Sequence, residues 1–533
     1  MISKQTYSLI GIGIGPFNLG LAALIEPVAD VSALFFDQSE SFDWHPGLML
    51  SNATLQVPFM ADLVTLADPT NKYSFLNFCK QTGRLYPFYI RENFNILRKE
   101  YNSYCQWVAK QVSNCRFGYE VTDIRFVNDL YEVTVRHSKS NKPETYYAKR
   151  LALGTGTQPY IPAFIEQLPG VIHTSQYLMH KDRLQNSGSV AVIGSGQSAA
   201  EIFQDLLPAT QQGLQLSWFT RSPRFYPMEY SKLTLELTSP EYVDYFYNLP
   251  EERRKKLLAK QNSLYKGINY DLINDIFDQL YEMSVDNVPL PVNIRSNMRL
   301  DQILPANEAN TCDLFFTETE QQEPYQCQAN YVVLATGYKY KEPAFLQGIA
   351  ERINRQPDGL LQVQRDYTID VNNEEIFVQN VELQTHGFVT PDLGMGAYRN
   401  AQIINKVCGR EVYVVEKRIA FQSFGAALSE PRASTALSTL EADPSTALRV
   451  SDEASTALSA SGADPSTPLR VSDASTALSE VEASELRALS EVETSELRAL
   501  SAVEASELRA LSAVEASELR ALSEVETRAI SSF

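Results

Sequence analysis

Two glycine-rich turns of the kind that opens a dinucleotide-binding βαβ unit lie in this one chain. The first is Gly11-Ile-Gly13-Ile-Gly15-Pro16, near the start, and the second is Gly194-Ser195-Gly196-Gln197-Ser198-Ala199, close to the middle. Each follows a short apolar run (from Tyr7 to Ile10, and from Val190 to Ile193) and opens a helix-like run. In that context missing side chains let backbone N–H groups approach a pyrophosphate. A single match of this kind often marks only the end of a strand, so the residues downstream must decide. After the first turn, Leu34-Phe35-Phe36-Asp37 ends a strand in a carboxylate, which suits a ribose with free hydroxyls. After the second, Leu216-Ser217-Trp218-Phe219-Thr220-Arg221 ends one in a guanidinium, which suits a 2′-phosphate. The order reads FAD first and NADPH second, and the fold class that follows is α/β with two Rossmann-like domains.

The strand-like runs Leu151-Ala152-Leu153 and Val332-Val333-Leu334 both end in a Thr-Gly turn and bracket the second fingerprint. They suggest an NADPH domain inserted into an FAD domain, with the chain crossing twice. The expected divisions are residues 1–165 for the first part of the FAD domain, 166–330 for the NADPH domain and 331–425 for the second part of the FAD domain. Between about 226 and 288 lies a polar, aromatic, helix-prone stretch too long for a plain crossover. It reads as a helical substrate insert over the interdomain cleft, or equally as a structural cap.

The character of the chain changes near residue 425. From Ala426 to Phe533 there are 19 Asp or Glu against 8 Arg, −11 of the chain's −19, so residues 1–425 carry −8. An acidic body without a basic stripe gives no reason to expect nucleic acid. Residues 426–477 read as a disordered linker rich in Ser, Thr, Ala, Asp and Pro. In 478–533, Leu478, Leu489, Leu500, Leu511 and Leu522 recur every 11 residues, a period that fits three helical turns. Both an oligomerising helix and a low-complexity expansion without a task fit this pattern.

The six cysteines are scattered without a Cys-x-x-Cys, so no metal site and no disulfide-reductase chemistry is expected. The apolar stretch from Leu9 to Ile25 is broken by four glycines and Pro16, which argues against a membrane span. A cytoplasmic enzyme is the expectation.

In their order along residues 5 to 424, these motifs are similar to those of the bacterial N-hydroxylating flavin monooxygenases of siderophore biosynthesis. The resemblance is carried by Gly11 to Leu19, Phe42-Asp43-Trp44-His45-Pro46-Gly47, Leu55-Gln56, Asp62-Leu63-Val64, Leu153-Gly154-Thr155-Gly156, Gly194 to Ala199, Ala335-Thr336-Gly337-Tyr338 and Gln384-Thr385-His386-Gly387. It implies that NADPH reduces FAD, that a C4a-hydroperoxyflavin forms with oxygen, and that a neutral primary amine takes the distal oxygen to become a hydroxylamine. The cofactor carries the reaction, so no protein residue is assigned as catalytic. The implied FAD contacts are Gly11, Gly13, Gly15, Pro16, Asn18, Asp37, Trp44, His45, Gln56, Val121 and Leu393. Those for NADPH are Gly194, Ser195, Gly196, Gln197, Ser198 and Arg221. Trp44 and His45, read as residues alone, would equally fill a core edge.

The departure from the family pattern concerns the substrate. Ornithine-specific members grip the α-carboxylate with a lysine, two asparagines and a serine. Those positions fall here on Ala61, Leu235, Leu264 and Gly394. Burying a carboxylate without donors costs several kcal/mol, so the joint loss points to an aliphatic diamine such as 1,3-diaminopropane, putrescine or cadaverine. Gln56 and Asp392 complete the expected substrate site, Asp392 as partner of the second ammonium with Glu236 as its rival. A lysine or ornithine N-hydroxylase with a different carboxylate grip, and an NADPH:flavin reductase serving a partner protein, are the competing readings. Homo-oligomerisation is also expected.

Overall fold

The computed structural model describes residues 5–426 apart from 167, 286–288 and 309. The expected linker and 11-residue repeat lie outside the described residues.

Each glycine fingerprint sits at the end of the central strand of its own parallel sheet. In the first sheet the order is Ile376–Val378, Leu151–Leu153, Leu9–Ile12, Ala33–Asp37, Cys115–Phe117, with every pair parallel. In the second it is Val171–His173, Tyr331–Leu334, Ser189–Ile193, Gln215–Phe219, Val292–Arg295, again all parallel. Parallel strands buried on both faces read as near-continuous apolar runs. Ser189-Val-Ala-Val-Ile193 and Ala33-Leu-Phe-Phe-Asp37 do so and are almost wholly buried. An antiparallel meander backs each sheet: Tyr119–Val127, Leu130–His137 and Pro143–Ala148 behind the first, and Met298–Pro305, Cys312–Glu318 and Pro324–Ala329 behind the second.

The chain does cross twice between the two sheets. The crossings run side by side, Gln158–Pro159 pairing antiparallel with Tyr338–Lys339. One boundary moves. Tyr331–Leu334 is a strand of the second sheet, wedged between Val171–His173 and Ser189–Ile193, so the return to the FAD side falls at 336–340 and not at 330. The strand is buried on both faces and completes the second core, which is where its apolar side chains place it.

The first fingerprint helix, Pro16–Ile25, is apolar all round because it is enclosed all round. Asn18 and every residue from Leu19 to Ile25 is buried, between the first sheet and the helix Gly394–Cys408. Close approach requires Gly20, where a Cβ would stand 2.8 Å from Leu63 O and 2.9 Å from Asn400 Nδ2.

The insert is helical: Lys232–Leu235, Pro240–Tyr247, Glu251–Lys260, Asn262–Lys266 and Tyr270–Ser284. Side-chain caps start three of these helices. Ser231, Ser239 and Asn269 accept from the N–H groups of Thr234, Tyr242 and Leu272, which satisfies donors that helix geometry leaves open. Although the chain enters the insert from the second sheet, Tyr242, Val243 and Phe246 pack against Phe388, Val389 and Met395 of the FAD side. The insert therefore roofs the space between the two sheets.

Candidate functional site

At the end of the first central strand, Gly13 has φ +83°, and a Cβ there would lie 2.4 Å from Gly154 O. Gly15 has open space where its Cβ would be and caps the helix that Pro16 begins. The result is a turn lying hard against the Leu151–Leu153 strand, with the unpaired N–H groups of a helix start above it. Asn18 shapes this turn from beneath: its amide donates to Gly13 O at 2.8 Å and to Ala152 O at 3.2 Å. Asp37 accepts from Ile14 N at 2.7 Å and from Ser39 N at 2.8 Å, one bond on each oxygen, which leaves acceptor capacity for a ribose hydroxyl. Val121 is a buried residue of the strand Tyr119–Val127 in the core behind the sheet.

The second turn repeats the device. Gly194 has φ +146° with its absent Cβ 2.4 Å from Ala335 O, and Gly196 caps the helix Gln197–Leu206. Ser222 Oγ donates to Ser195 Oγ at 3.2 Å, joining this turn to the loop that carries Arg221. Arg221 is exposed and makes no ion pair among the described residues. It is available to a 2′-phosphate at the strand end where the sequence placed it. Both turns thus fit a pyrophosphate, and the acid and the guanidinium fit the two riboses expected of FAD and NADPH.

Against the first turn, under the helical insert, lies a cavity of about 520 Å³, within the range typical of small-molecule sites. Gly15, Pro16, Asn18, Trp44, His45, Gln56 and Leu393 line its FAD side, and Leu235, Leu264 and Asp392 line its other wall. The sequence reading placed all ten at the cofactor or the substrate. The His45 backbone is left-handed, with φ 52° and ψ 49°, and the ring opens onto the cavity. The residue is solvent-accessible, but the protein crowded around it desolvates the ring, and with the Arg98 charge this pushes its pKa down to about 4. The imidazole is therefore neutral throughout the physiological range.

Ala61 and Gly394 stand together behind Asp392. A Cβ on Gly394 would be 3.8 Å from the Ala61 Cβ and 3.0 Å from Asp392 Oδ1. Asp392 Oδ1 accepts from Gly394 N at 2.7 Å. Desolvation raises the Asp392 carboxyl above the ordinary range, against the smaller opposing effects of that bond and of Arg399. The Tyr230 phenol on the same wall is pushed up to about 12 by burial of its hydroxyl end and by the Asp392 charge, although the residue as a whole is 40% exposed to the cavity.

Glu236 is committed elsewhere. Its two oxygens accept from Phe421 N and Gln422 N at 2.8 and 3.0 Å, because it points away from the cavity that its neighbour Leu235 lines. The rival to Asp392 on the cavity wall is instead Glu229, which accepts from Ser263 Oγ at 2.9 Å.

Several wall residues carry no signal in the local sequence. Arg98 is the only guanidinium or ammonium among the described residues lining the cavity, and it is occupied: two bonds to Glu201, at 2.7 and 3.1 Å, hold it across the domain junction. Gln56 Nε2 donates to Gln197 Oε1 at 3.1 Å, and Gln197 Nε2 to Glu201 Oε1 at 2.9 Å. This four-residue chain locks the second fingerprint helix to the FAD side. Tertiary pairing alone brings these residues together. His386, part of the family-like motif, is buried away from the cavity lining, its Nε2 3.1 Å from Arg365 O and its ring stacked on Tyr367.

Two dinucleotide turns, the first of them opening onto a cavity roofed by the helical insert, define a two-cofactor oxidoreductase. The model of the L-lysine 6-monooxygenase/L-ornithine 5-monooxygenase family matches residues 5–340, and the chain belongs to that family. It is 52% identical over 429 residues to the putrescine N-hydroxylase of Shewanella oneidensis, covering 79% of this chain and 85% of that one. Among solved structures it is similar to the FAD-bound cadaverine monooxygenase of the desferrioxamine pathway of Erwinia amylovora. There the TM-score is 0.78 and the identity 50%, over 80% of this chain and all of that one. The ornithine N-hydroxylase of Kutzneria, solved with reduced FAD, NADP+ and L-ornithine, aligns with a TM-score of 0.70 at 26% identity, over 76% of this chain and 99% of that one.

Proposed function

We infer that this chain N-hydroxylates one primary amine of an aliphatic diamine, with FAD and NADPH as cofactors, in the making of a hydroxamate siderophore. NADPH would supply the electrons and FAD the group that activates dioxygen, the source of the transferred oxygen; the residues of this chain bind, orient and desolvate the amine. The observation that carries the reading is the cavity wall itself. Of the four positions where a carboxylate would need donors, Leu235 and Leu264 line the cavity together with Asp392, while Ala61 and Gly394 stand behind Asp392. Arg98 offers no substitute grip, being paired with Glu201. An α-carboxylate would meet apolar surface and a like charge, whereas a second ammonium would meet an acceptor.

The other end of the substrate needs the opposite treatment. An alkylamine is protonated near neutral pH and must bind as the free base to act as a nucleophile, and apolar walls favour that form. Leu264 and Phe388 supply such surface, and His45, lining the same cavity, is kept uncharged. The similarity to a putrescine and a cadaverine enzyme supports the same substrate class.

No helix among the described residues is long and apolar enough to cross a membrane. Six unpaired thiols and the use of NADPH fit a cytoplasmic setting. Self-association is supported by Tyr270, Phe277 and Tyr281, which lie exposed along one face of the helix Tyr270–Ser284.

The test is to supply the purified chain with FAD, NADPH, labelled dioxygen and putrescine or cadaverine. The expected product is a mono-hydroxylamine carrying one labelled oxygen, formed in step with NADPH oxidation. Oxidation of NADPH with peroxide as the sole product for every amine would contradict the reading.

A further inference from the structure

Residues 412–424 run from the FAD-side helices to the helical insert, and both ends of the run are tied. At the near end Val412 N and Tyr413 N donate to Asn405 Oδ1 at 2.7 and 3.0 Å, while Tyr413 Oη donates to Leu24 O at 2.6 Å. At the far end four consecutive backbone N–H groups are taken up by two carboxylates of the insert. Ile419 and Ala420 donate to Glu241 Oε1 at 2.6 and 2.8 Å, Phe421 to Glu236 Oε1 at 2.8 Å and Gln422 to Glu236 Oε2 at 3.0 Å. The Gln422 side chain adds a bond to Leu233 O at 2.6 Å. Phe424 then packs edge-on against Tyr242, ring centroids 5.1 Å apart, in the apolar cluster that includes Leu264.

These contacts meet the least self-supporting part of the cavity wall. Lys232–Leu235 is a single helical turn with no buried residue, and so short a helix has no stability of its own. Leu235 lines the cavity while the adjacent Glu236 grips the strap. Charge-assisted bonds from backbone N–H groups to a carboxylate are among the stronger and more directional ones. The position of Leu235 on the cavity wall is therefore set by what Glu236 holds.

We propose that the 419–424 strap, through Glu236 and Glu241, is a positioning element of the amine site that keeps the Leu235 wall in place over the bound substrate. Neither glutamate touches the reacting atoms. The proposal rests on the diamine reading for its kinetic consequence: a loosened wall admits water and holds the amine poorly. NADPH is then spent as NADPH + H+ + O2 → NADP+ + H2O2 in place of hydroxylamine formation.

The experiment uses the full-length holoenzyme with Glu236→Ala and Glu241→Ala combined, and separately the milder Glu236→Gln, which keeps one acceptor oxygen. The double variant should raise KM for putrescine by about tenfold and shift product from hydroxylamine to peroxide. FAD content and the anaerobic rate of flavin reduction by NADPH should stay at wild-type values. Amide hydrogen exchange should quicken together at 419–422 and 232–235. Glu236→Gln should fall between the double variant and wild type on every readout. Wild-type KM and coupling despite a released strap would overturn the proposal, as would parallel loss of FAD and flavin reduction, which would mark a general structural role. If the wild-type enzyme accepted no diamine, the diamine reading would fail. Linked or independent exchange at the two segments would still decide whether the strap holds the wall.

Discussion

Asp392 holds Gly394 N with one oxygen and borders the cavity beside Tyr230. An ammonium reaching it gains a charge-assisted bond in a partly desolvated site, worth about 1.5–3 kcal/mol. Asp392→Asn is accordingly expected to raise KM for a diamine by roughly 10- to 100-fold while the rate of flavin reduction by NADPH stays near wild type. Ala61→Lys, whose side chain would start beside Gly394 and Asp392, should repel diamines; steady-state kinetics on both variants checks the pair. Arg221 gives an independent prediction at the other cofactor. Arg221→Ala should raise KM for NADPH by about tenfold or more and leave NADH almost unaffected, since only the former carries the 2′-phosphate; equal effects on both nucleotides would contradict the assignment. The sequence singled out Arg221 by its place at a strand end, and Ala61 and Asp392 by their place beside motifs of the resembling family. Glu236 was misplaced because two adjacent residues of one helical turn point to different sides, and spacing alone does not say which side is the cavity. Arg98, Glu201 and Tyr230 were missed because they meet the site only through pairing of distant segments.

The loop and helices from 379 to 408 show what the sequence cannot weigh. Gln379 Nε2 donates to Asn18 Oδ1 at 3.2 Å and to Asn400 Oδ1 at 2.8 Å. Arg399 donates to Thr390 O at 2.7 Å and lies 2.8 Å from Glu382, both members of that ion pair being essentially unexposed. This buried network ties the first fingerprint helix to the loop that bears Asp392 and Leu393. In the sequence these are scattered polar residues around the family-like Gln384-Thr385-His386-Gly387 motif, and only their pairing shows them as one network. His386 makes the burial here measurable. Burial pushes its pKa from the usual 6.5 down to about 3, so the unfolded chain binds a proton that the folded protein excludes between those values. The neutral histidine's contribution is complete above about pH 6.5 and is lost as pH falls towards 3. The melting temperature should therefore drop on acidification from pH 7 to 5, and His386→Asn should flatten that drop while costing about 1–3 kcal/mol at pH 7. An unchanged pH slope in the variant would show that other groups set the acid limb.

At the scale of the whole molecule, two parallel sheets are joined by paired crossings, with a helical roof supplied by one and anchored on the other; the first nucleotide turn lines the cavity, and the second is tied to its wall through Gln197 and Gln56. Most of this was readable. Glycine turns, strand-end charges and the Thr-Gly repeats are local signals, and the double crossing followed from their order. The return boundary was set a strand too early, because Tyr331–Leu334 is as apolar as any strand of either sheet and only its pairing assigns it. The insert was legible as a polar, aromatic, helix-prone stretch too long for a plain crossover, but what it covers depends on packing against residues more than a hundred positions away. The central claim is that this cavity is built for an amine with a second cation in place of a carboxylate. The direct measurement is kcat/KM for hydroxylamine formation with 1,3-diaminopropane, putrescine, cadaverine, L-ornithine and L-lysine under identical conditions. The account predicts that at least one diamine exceeds both amino acids by about a hundredfold or more, the scale set by burying an unpaired carboxylate. A higher value for lysine or ornithine than for every diamine would contradict it.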